Sequence, residues 1–293
     1  MNGAIVVDKP PDWTSHDVVN RMRRIAGTRK IGHLGTLDPS ATGVLPLLLN
    51  RATRLAQFFT RNDEVYEGVI RFGWSTNTYD ADGEPTSVQT EPVLQRERLE
   101  ELFDRFRGLI LQTPPLVSAK KIAGRPAYEL ARKNIAVEMK PVEVTIRSLE
   151  LLWVEGSEVG VRVDCSAGTY LRSIAHDAGQ ALGCGAHLKS LRRLRSGQFT
   201  IEQARTLEQL AQLAAEDRLG EALVPALQLL PDFSTEIVDR LTEGQIRQGR
   251  DFRVSPFKLR DGMKHVKAVS RSGELIAIGE AVLPNVYHPI LVL

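Results

Sequence analysis

Gly32-His33-Leu34-Gly35-Thr36-Leu37-Asp38-Pro39-Ser40-Ala41-Thr42-Gly43-Val44-Leu45-Pro46 is the stretch of this chain from which most can be read. From Thr28 to Pro46 no helical or strand period survives, and the glycines, prolines and small polar residues predict one long shaped loop. Long structured loops in compact domains are often functional. Pro39 restricts Asp38 toward extended backbone, while the glycines let another segment approach closely, so the loop could aim a single carboxylate from a fixed backbone. A structural turn with Asp38 as a local cap is an equal alternative for the loop taken alone. The stretch lacks the Gly-Lys-Ser/Thr ending of a phosphate-cradling loop, so nucleotide binding is poorly supported.

Upstream, Gly3 to Val7 reads as a buried strand ended by Lys9-Pro10-Pro11, and Ser15 as the cap of a helix with Val18, Val19, Met22 and Ile25 on one face. Downstream, Asn50 is expected to cap a helix through Arg61, followed by a strand over 65–73 and a polar turn over 77–85. Further helices are expected over 91–108, from Pro126 to Lys133 and over 170–182. Val142 to Val154 and Val159 to Cys165 form a hairpin pattern. Ala186 to Thr200 carries Lys189, Arg192, Arg193 and Arg195 with no acid, a candidate phosphate-facing surface. An acidic helical stretch leads to a boundary near Pro231, and short β-runs fill the remainder. The fold class is α+β, with a mixed or antiparallel sheet flanked by helices over 1–230 and a small β-rich module over 233–293.

The 293 residues are 42% hydrophobic and 25% charged, enough for a large core, and 38 Lys+Arg against 36 Asp+Glu leave a net charge of +2. Any basic surface must therefore be local. No apolar run approaches the ~20 residues of a membrane helix, and no secretory signal pattern opens the chain, so a cytoplasmic location is expected. Cys165 and Cys184 show no ligand spacing and are expected reduced and mostly buried; the six histidines show none either, so no metal is expected.

The quoted stretch resembles the hallmark segment of the TruB family, the tRNA pseudouridine-55 synthases. The resemblance continues through Val7-Asp8-Lys9-Pro10 with Thr14-Ser15, and through Tyr66 with Gly73, Thr76, Thr78, Asp80 and Gly83. It extends over Pro114-Pro115 with Ser118-Ala119, Cys165 to Ser173, Leu182 to His187 and Leu191-Arg192-Arg193. Asn77 and Lys120 depart from the family pattern.

The resemblance implies a pseudouridine-synthase catalytic domain, a PUA-like C-terminal module and isomerisation of one T-arm uridine of tRNA. Asp38 matches the catalytic aspartate, a nucleophile at C6 of the uracil or C1' of the ribose, and Arg172 its partner, expected to depress the carboxylate pKa. Tyr66 matches the tyrosine that stacks on the base and could accept or relay a proton. Tyr170 and Leu191 match the pocket walls, and His33 the residue filling the place of the flipped base. Lys9 supports the loop or the RNA backbone, and Arg193, with Arg21, Arg23, Arg24 and Lys30, would hold phosphates. Taken singly, each of these residues has an ordinary reading as core, loop or surface charge. The resemblance further implies docking of the tRNA acceptor side on the C-terminal module, with a stability-only accessory domain as the alternative; no cofactor and a monomer without an obligate protein partner are expected, and as a separate hypothesis, opening the T-arm elbow during flipping would help tRNA fold. The alternatives are a non-catalytic RNA-binding protein, a metal-dependent hydrolase using His33, Asp38, His176 and Asp177, and a guide-RNA-dependent synthase.

Overall fold

Two apolar runs without polar alternation, Ala4 to Val7 and Val44 to Leu49, become neighbouring antiparallel strands buried on both faces. They pair side by side in the computed structural model, which describes residues 1–117, 121–122, 125–126, 139–255 and 264–293. The strands β1 (Gly3–Lys9), β2 (Ile31–His33), β3 (Thr42–Leu49), β4 (Glu64–Phe72) and β5 (Gly108–Gln112) are followed by a short hairpin, β6 (Lys121–Ile122) with β7 (Arg125–Pro126). Then come β8 (Val142–Glu155), β9 (Glu158–Cys165), β10 (Ala186–Ser196), β11 (Phe199–Thr200) and β12 (Leu223–Pro225). All but the hairpin form one ten-stranded sheet in the order β12-β1-β3-β10-β4-β9-β8-β5, with β2 beside β3 and β11 beside β10. The sheet is mixed because β10 runs parallel to β3 and antiparallel to β4.

The helices are α1 (Ser15–Ile25), α2 (Arg96–Asp104), α3 (Leu171–Leu182), α4 (Leu207–Ala215) and α5 (Arg240–Arg247). One face of β1 and β3, with Ile5, Val7, Leu45 and Leu47, shares a core with Val18 and Met22 of α1 and Leu210 of α4. The other face, with Ala4, Val6, Val44 and Leu48, packs with Leu55 and Phe59 of a 3₁₀ helix over Asn50–Phe59. Leu275, Ile278 and Leu291 of the C-terminal part join that second cluster. That part is β-rich, as expected: β13 (Ser234–Ile237), β14 (Phe252–Arg253), β15 (His265–Val269), β16 (Leu275–Leu283) and β17 (Val286–Val292) pair in the order β13-β15-β16-β17-β14. Among the described residues no helix is long and apolar enough to cross a membrane.

Several local expectations are corrected. The loop predicted over Thr28 to Pro46 shrinks to 34–41, because β2 and β3 occupy its ends; a strand buried on both faces shows no alternation to betray it. Gly43, at φ +97°, permits this: a Cβ there would stand 2.2 Å from the Arg193 carbonyl oxygen. The cap of α1 is Thr14, in a capping box with Asp17, which releases the Ser15 hydroxyl for another task. The Asn50 segment is 3₁₀ rather than α and ends at Phe59. The 91–108 helix contracts to α2, since Thr90 is hydrogen-bonded to the Gly73 carbonyl and Gly108 opens β5. The helix expected from Pro126 to Lys133 lies outside the described residues apart from Pro126, which sits in β7; Ser118-Ala119 and Lys120 also lie outside them. Cys165 is buried and Cys184 half-buried, both free.

The C-terminal sheet is tied to the linker by a buried lysine. Lys267 on β15 donates to the Leu227 and Leu229 carbonyls at 3.0 and 3.1 Å. Replacing it (Lys267→Met) strands two carbonyls, so urea unfolding should show a loss of about 1–3 kcal/mol, with faster proteolysis of the 227–232 linker.

Candidate active site

The segment over 34–41 is fixed from three sides. The Ser15 hydroxyl of α1 donates to the Leu37 carbonyl at 3.2 Å and accepts from the Leu37 N–H at 3.0 Å. Lys9, fully buried at the end of β1, donates to the carbonyls of Pro10, Pro39 and Ala41 at 2.9, 2.8 and 2.6 Å. Its donors are thus directed at the loop and at the chain just after β1. Burial outweighs the attraction of Asp12, Asp38 and Asp17 and brings its pKa down to about 8. Inside the loop the Ala41 N–H closes a turn on the Asp38 carbonyl at 3.1 Å.

Arg193 completes the support, and this corrects its expected place on a phosphate-facing surface. Its side chain is 1% exposed and donates to the Val44 carbonyl (2.8 Å), the Gly35 carbonyl (3.2 Å) and Glu64 (2.8 Å). Gly35 sits at φ +79°, where other residues are strained, and a Cβ there would crowd that guanidinium at 3.0 Å. The rest of the basic run stays part-exposed but is also ion-paired: Lys189 with Glu158, Arg192 with Asp8 at 2.8 Å and Arg195 with Asp164 at 3.0 Å. These acids stand on β1 and β9, each two strands from β10, where a local charge count does not see them. Arg23 is half-buried, whereas Arg21, Arg24 and Lys30 are exposed.

A cleft of ≈ 650 Å³ opens beside the loop, and its lining includes Asp38, Tyr66, Tyr170, Arg172 and Leu191. His33, Lys9 and Arg193 stand outside it. Arg172, in the first turn of α3, grips Asp38 with two atoms, Nε to Oδ2 at 2.9 Å and Nη2 to Oδ1 at 3.1 Å. It also donates to the Thr78 and Val117 carbonyls at 3.2 and 3.0 Å and meets Asp80 at 3.4 Å. One guanidinium thus serves two carboxylates, Asp38 and Asp80. Burial pushes the Asp38 pKa up from the ordinary aspartate range; Arg172 opposes this, Asp80 adds to it, and Lys9 opposes it more weakly. The net direction is opposite to the expected depression, and 39% of the Asp38 side chain still meets solvent.

Tyr66 on β4 lies in the cleft with its phenol donating to Glu64 at 3.0 Å, and burial, then the Glu64 charge, push its pKa far up. Tyr170 is pinned at both backbone atoms by Gln112, which accepts from its N–H at 2.8 Å and donates to its carbonyl at 3.0 Å. His33, at the end of β2, is half-buried; burial and then Arg193 lower its pKa and keep the ring neutral. Sequence reasoning missed Glu64, Gln112 and the pairing role of Asp80. Asp80 belonged to a quoted motif, but Glu64 and Gln112 carried no local signal. The Asn77 departure is accommodated, since its side chain accepts from the Glu84 N–H at 3.1 Å. His176 stacks on Tyr79 at 3.8 Å, and among the described residues no three His, Cys, Asp or Glu side chains gather as a metal-ligand set.

The model of the TruB family pseudouridylate synthase N-terminal domain matches residues 23–171, and that of the tRNA pseudouridylate synthase B C-terminal domain matches residues 172–230. A tRNA pseudouridine synthase B of Solibacter usitatus (strain Ellin6076) is 62% identical over 293 residues, 100% of both chains. Its counterpart in Aquifex aeolicus (strain VF5) is 40% identical over 282 residues, 96% of each. Among solved structures, a Cbf5-Nop10-Gar1 complex matches 97% of this chain and 79% of its own at 29% identity, with a TM-score of 0.74. The archaeal box H/ACA sRNP Nop10-Cbf5 complex gives 0.74 at 26% identity, over 99% and 86%.

Two outcomes follow from this geometry. Lys9→Met leaves the Pro39 and Ala41 carbonyls without their donor and should lower unfolding free energy in urea by about 1–3 kcal/mol. Carboxyl carbon NMR should place the Asp38 titration above the ordinary aspartate range, and Arg172→Met, which removes the opposing charge, should move it further up.

Proposed function

The chain belongs to the TruB family of pseudouridylate synthases and is an RNA-modifying isomerase, and from that premise we propose that it converts the uridine at position 55, in the T-loop of tRNA, to pseudouridine. The observation that carries this reading is the Asp38 carboxylate, gripped on both oxygens by Arg172 in a cleft that also holds Tyr66. A carboxylate whose position is fixed before substrate arrives loses little freedom on attack, which is the requirement for an efficient nucleophile. Isomerisation breaks the C1'–N1 bond and joins C1' to C5 with no net redox change, so the reading needs no cofactor.

The reacting atoms are hidden while the base is stacked, and the nucleotide is flipped into the cleft at an unstacking cost of ~a few kcal/mol. His33, neutral and at the loop's edge, fills the vacated place in the stack. Tyr66 stacks on the uracil, and Tyr170 and Leu191 wall it from water. Arg21, Arg24 and Lys30 contact phosphates and give a salt-dependent share of affinity, while T-loop shape gives selectivity. The C-terminal sheet, in the PUA-like role, docks the acceptor side. The purified chain acts alone, as a monomer. Opening and releasing the T-arm elbow also lets the protein assist tRNA folding without chemistry.

Asp38→Asn keeps shape and removes the charge. The variant should bind unmodified tRNA within a few-fold of the parent, while tritium release from tRNA labelled at C5 of uridine disappears. Position mapping on tRNA treated with the parent should place the modification at one T-loop uridine. Unchanged tritium release by Asp38→Asn, or a requirement for a guide RNA, would overturn the reading.

A further inference from the structure

A chain of nearly buried groups runs from Arg193, outside the cleft, to Glu64 and Tyr66 in its lining, and loop support by Arg193 does not account for it. Glu64 and Tyr66 are two residues apart on β4 and so share a face. The register of β4 with β10 sets Arg193 directly opposite Tyr66, and an irregularity between Arg193 and Arg195 interrupts the pairing there. The two Glu64 oxygens are divided between partners: Oε1 accepts from Arg193 at 2.8 Å and Oε2 accepts from the Tyr66 phenol at 3.0 Å. The glutamate side chain is 10% exposed, so this hydrogen bond operates with little competition from water. Having donated its hydrogen to Glu64, the phenol can act only as an acceptor, toward the nearby Arg193 guanidinium and toward any group that enters the cleft.

We propose that Glu64 is a positioning residue for the isomerisation, orienting the Tyr66 phenol as a proton acceptor facing the cleft and taking over the phenolic proton when the proton at C5 leaves. The inference rests on the pseudouridine-synthase reading above. Any conversion of uridine to pseudouridine must remove the hydrogen from C5 and place one on N1. In the intermediate in which C1' is already joined to C5, the C5–H bond breaks and its electron pair closes the C5–C6 double bond. The C6–N1 π pair moves onto N1, which takes a proton from water. The C5 proton goes to the Tyr66 oxygen while the phenolic proton passes to Glu64 Oε2; after product leaves, Glu64 returns its proton to the phenol, which gives one up to the hydroxide left by the water that protonated N1. No oxidant or co-reactant is required. Burial makes a free phenolate at Tyr66 unfavourable, so this phenol can accept a proton only by handing on its own, and Glu64 is already hydrogen-bonded to receive it. Arg193 holds the carboxylate in place and, through Gly35 and Val44, joins it to the loop that carries Asp38.

Single-turnover kinetics on tRNA carrying protium or deuterium at C5 of uridine test this. Glu64→Gln should slow the reaction on the order of 10²-fold, the typical lower bound for loss of acid–base assistance, and should develop a primary deuterium effect larger than the parent's. Tyr66→Phe and Tyr66→Phe combined with Glu64→Gln should react equally slowly, because Glu64 has nothing to act through once the phenol is gone. Glu64→Asp keeps the charge beside Arg193 and withdraws it from the phenol, so it serves where the glutamine variant fails to fold; it should show the same isotope signature. Additive losses in the double variant, or an isotope effect equal to the parent's in both Glu64 variants, would overturn the proposal. If the parent itself leaves the C5 hydrogen in place, the underlying functional reading fails instead.

Discussion

The Arg172 guanidinium is the point on which the geometry of the cleft depends. It is nearly buried, and its donors reach two carboxylates and two backbone carbonyls that come from three separate stretches of chain. A buried cation is costly unless it is surrounded in this way, and each acceptor is in turn held at a definite distance from the others. Asp38 is therefore fixed by the same contact that fixes the 76–80 turn, and the cleft wall and the reactive group cannot shift independently.

Two further buried cations, Lys9 and Arg193, hold the loop from behind. Neither faces the cleft; Lys9 donates to the Pro39 and Ala41 carbonyls and Arg193 to that of Gly35, acceptors that a 34–41 segment rich in glycine and proline would otherwise leave unpaired. The loop is thus rigid without regular structure of its own. Asp38 then carries a partial desolvation penalty that Arg172, shared with Asp80, does not fully offset, and this accounts for the upward displacement of its pKa.

Much of this was legible in the sequence, for identifiable reasons. The helix of Val18 and Met22, the hairpin of β8 with β9 and the β-rich C-terminal part all show the period their elements impose. Asp38, Tyr66, Tyr170, Arg172 and Leu191, drawn from distant motifs, meet in one cleft. What failed was whatever depends on neighbours remote in sequence. β3 was hidden because both its faces are covered. Arg193 looked like a surface charge because Glu64, its partner, lies far upstream, and the ion pairs that part-exposed Arg192 and Arg195 make with Asp8 and Asp164 were invisible because those acids stand on other strands. Ser15 looked like a helix cap because a hydroxyl's partner cannot be read from spacing alone.

The position of β10 between β3 and β4 bears on how the molecule comes into being. Both neighbours are synthesised more than a hundred residues earlier, yet they have no direct pairing with each other and are joined by a strand that emerges late. Until then the emerging polypeptide carries two unpaired strand edges and no assembled cleft. Such long-range closure makes for slow folding and exposes the growing chain to misassociation, so the enzyme acquires competence only after about two thirds of it has left the ribosome.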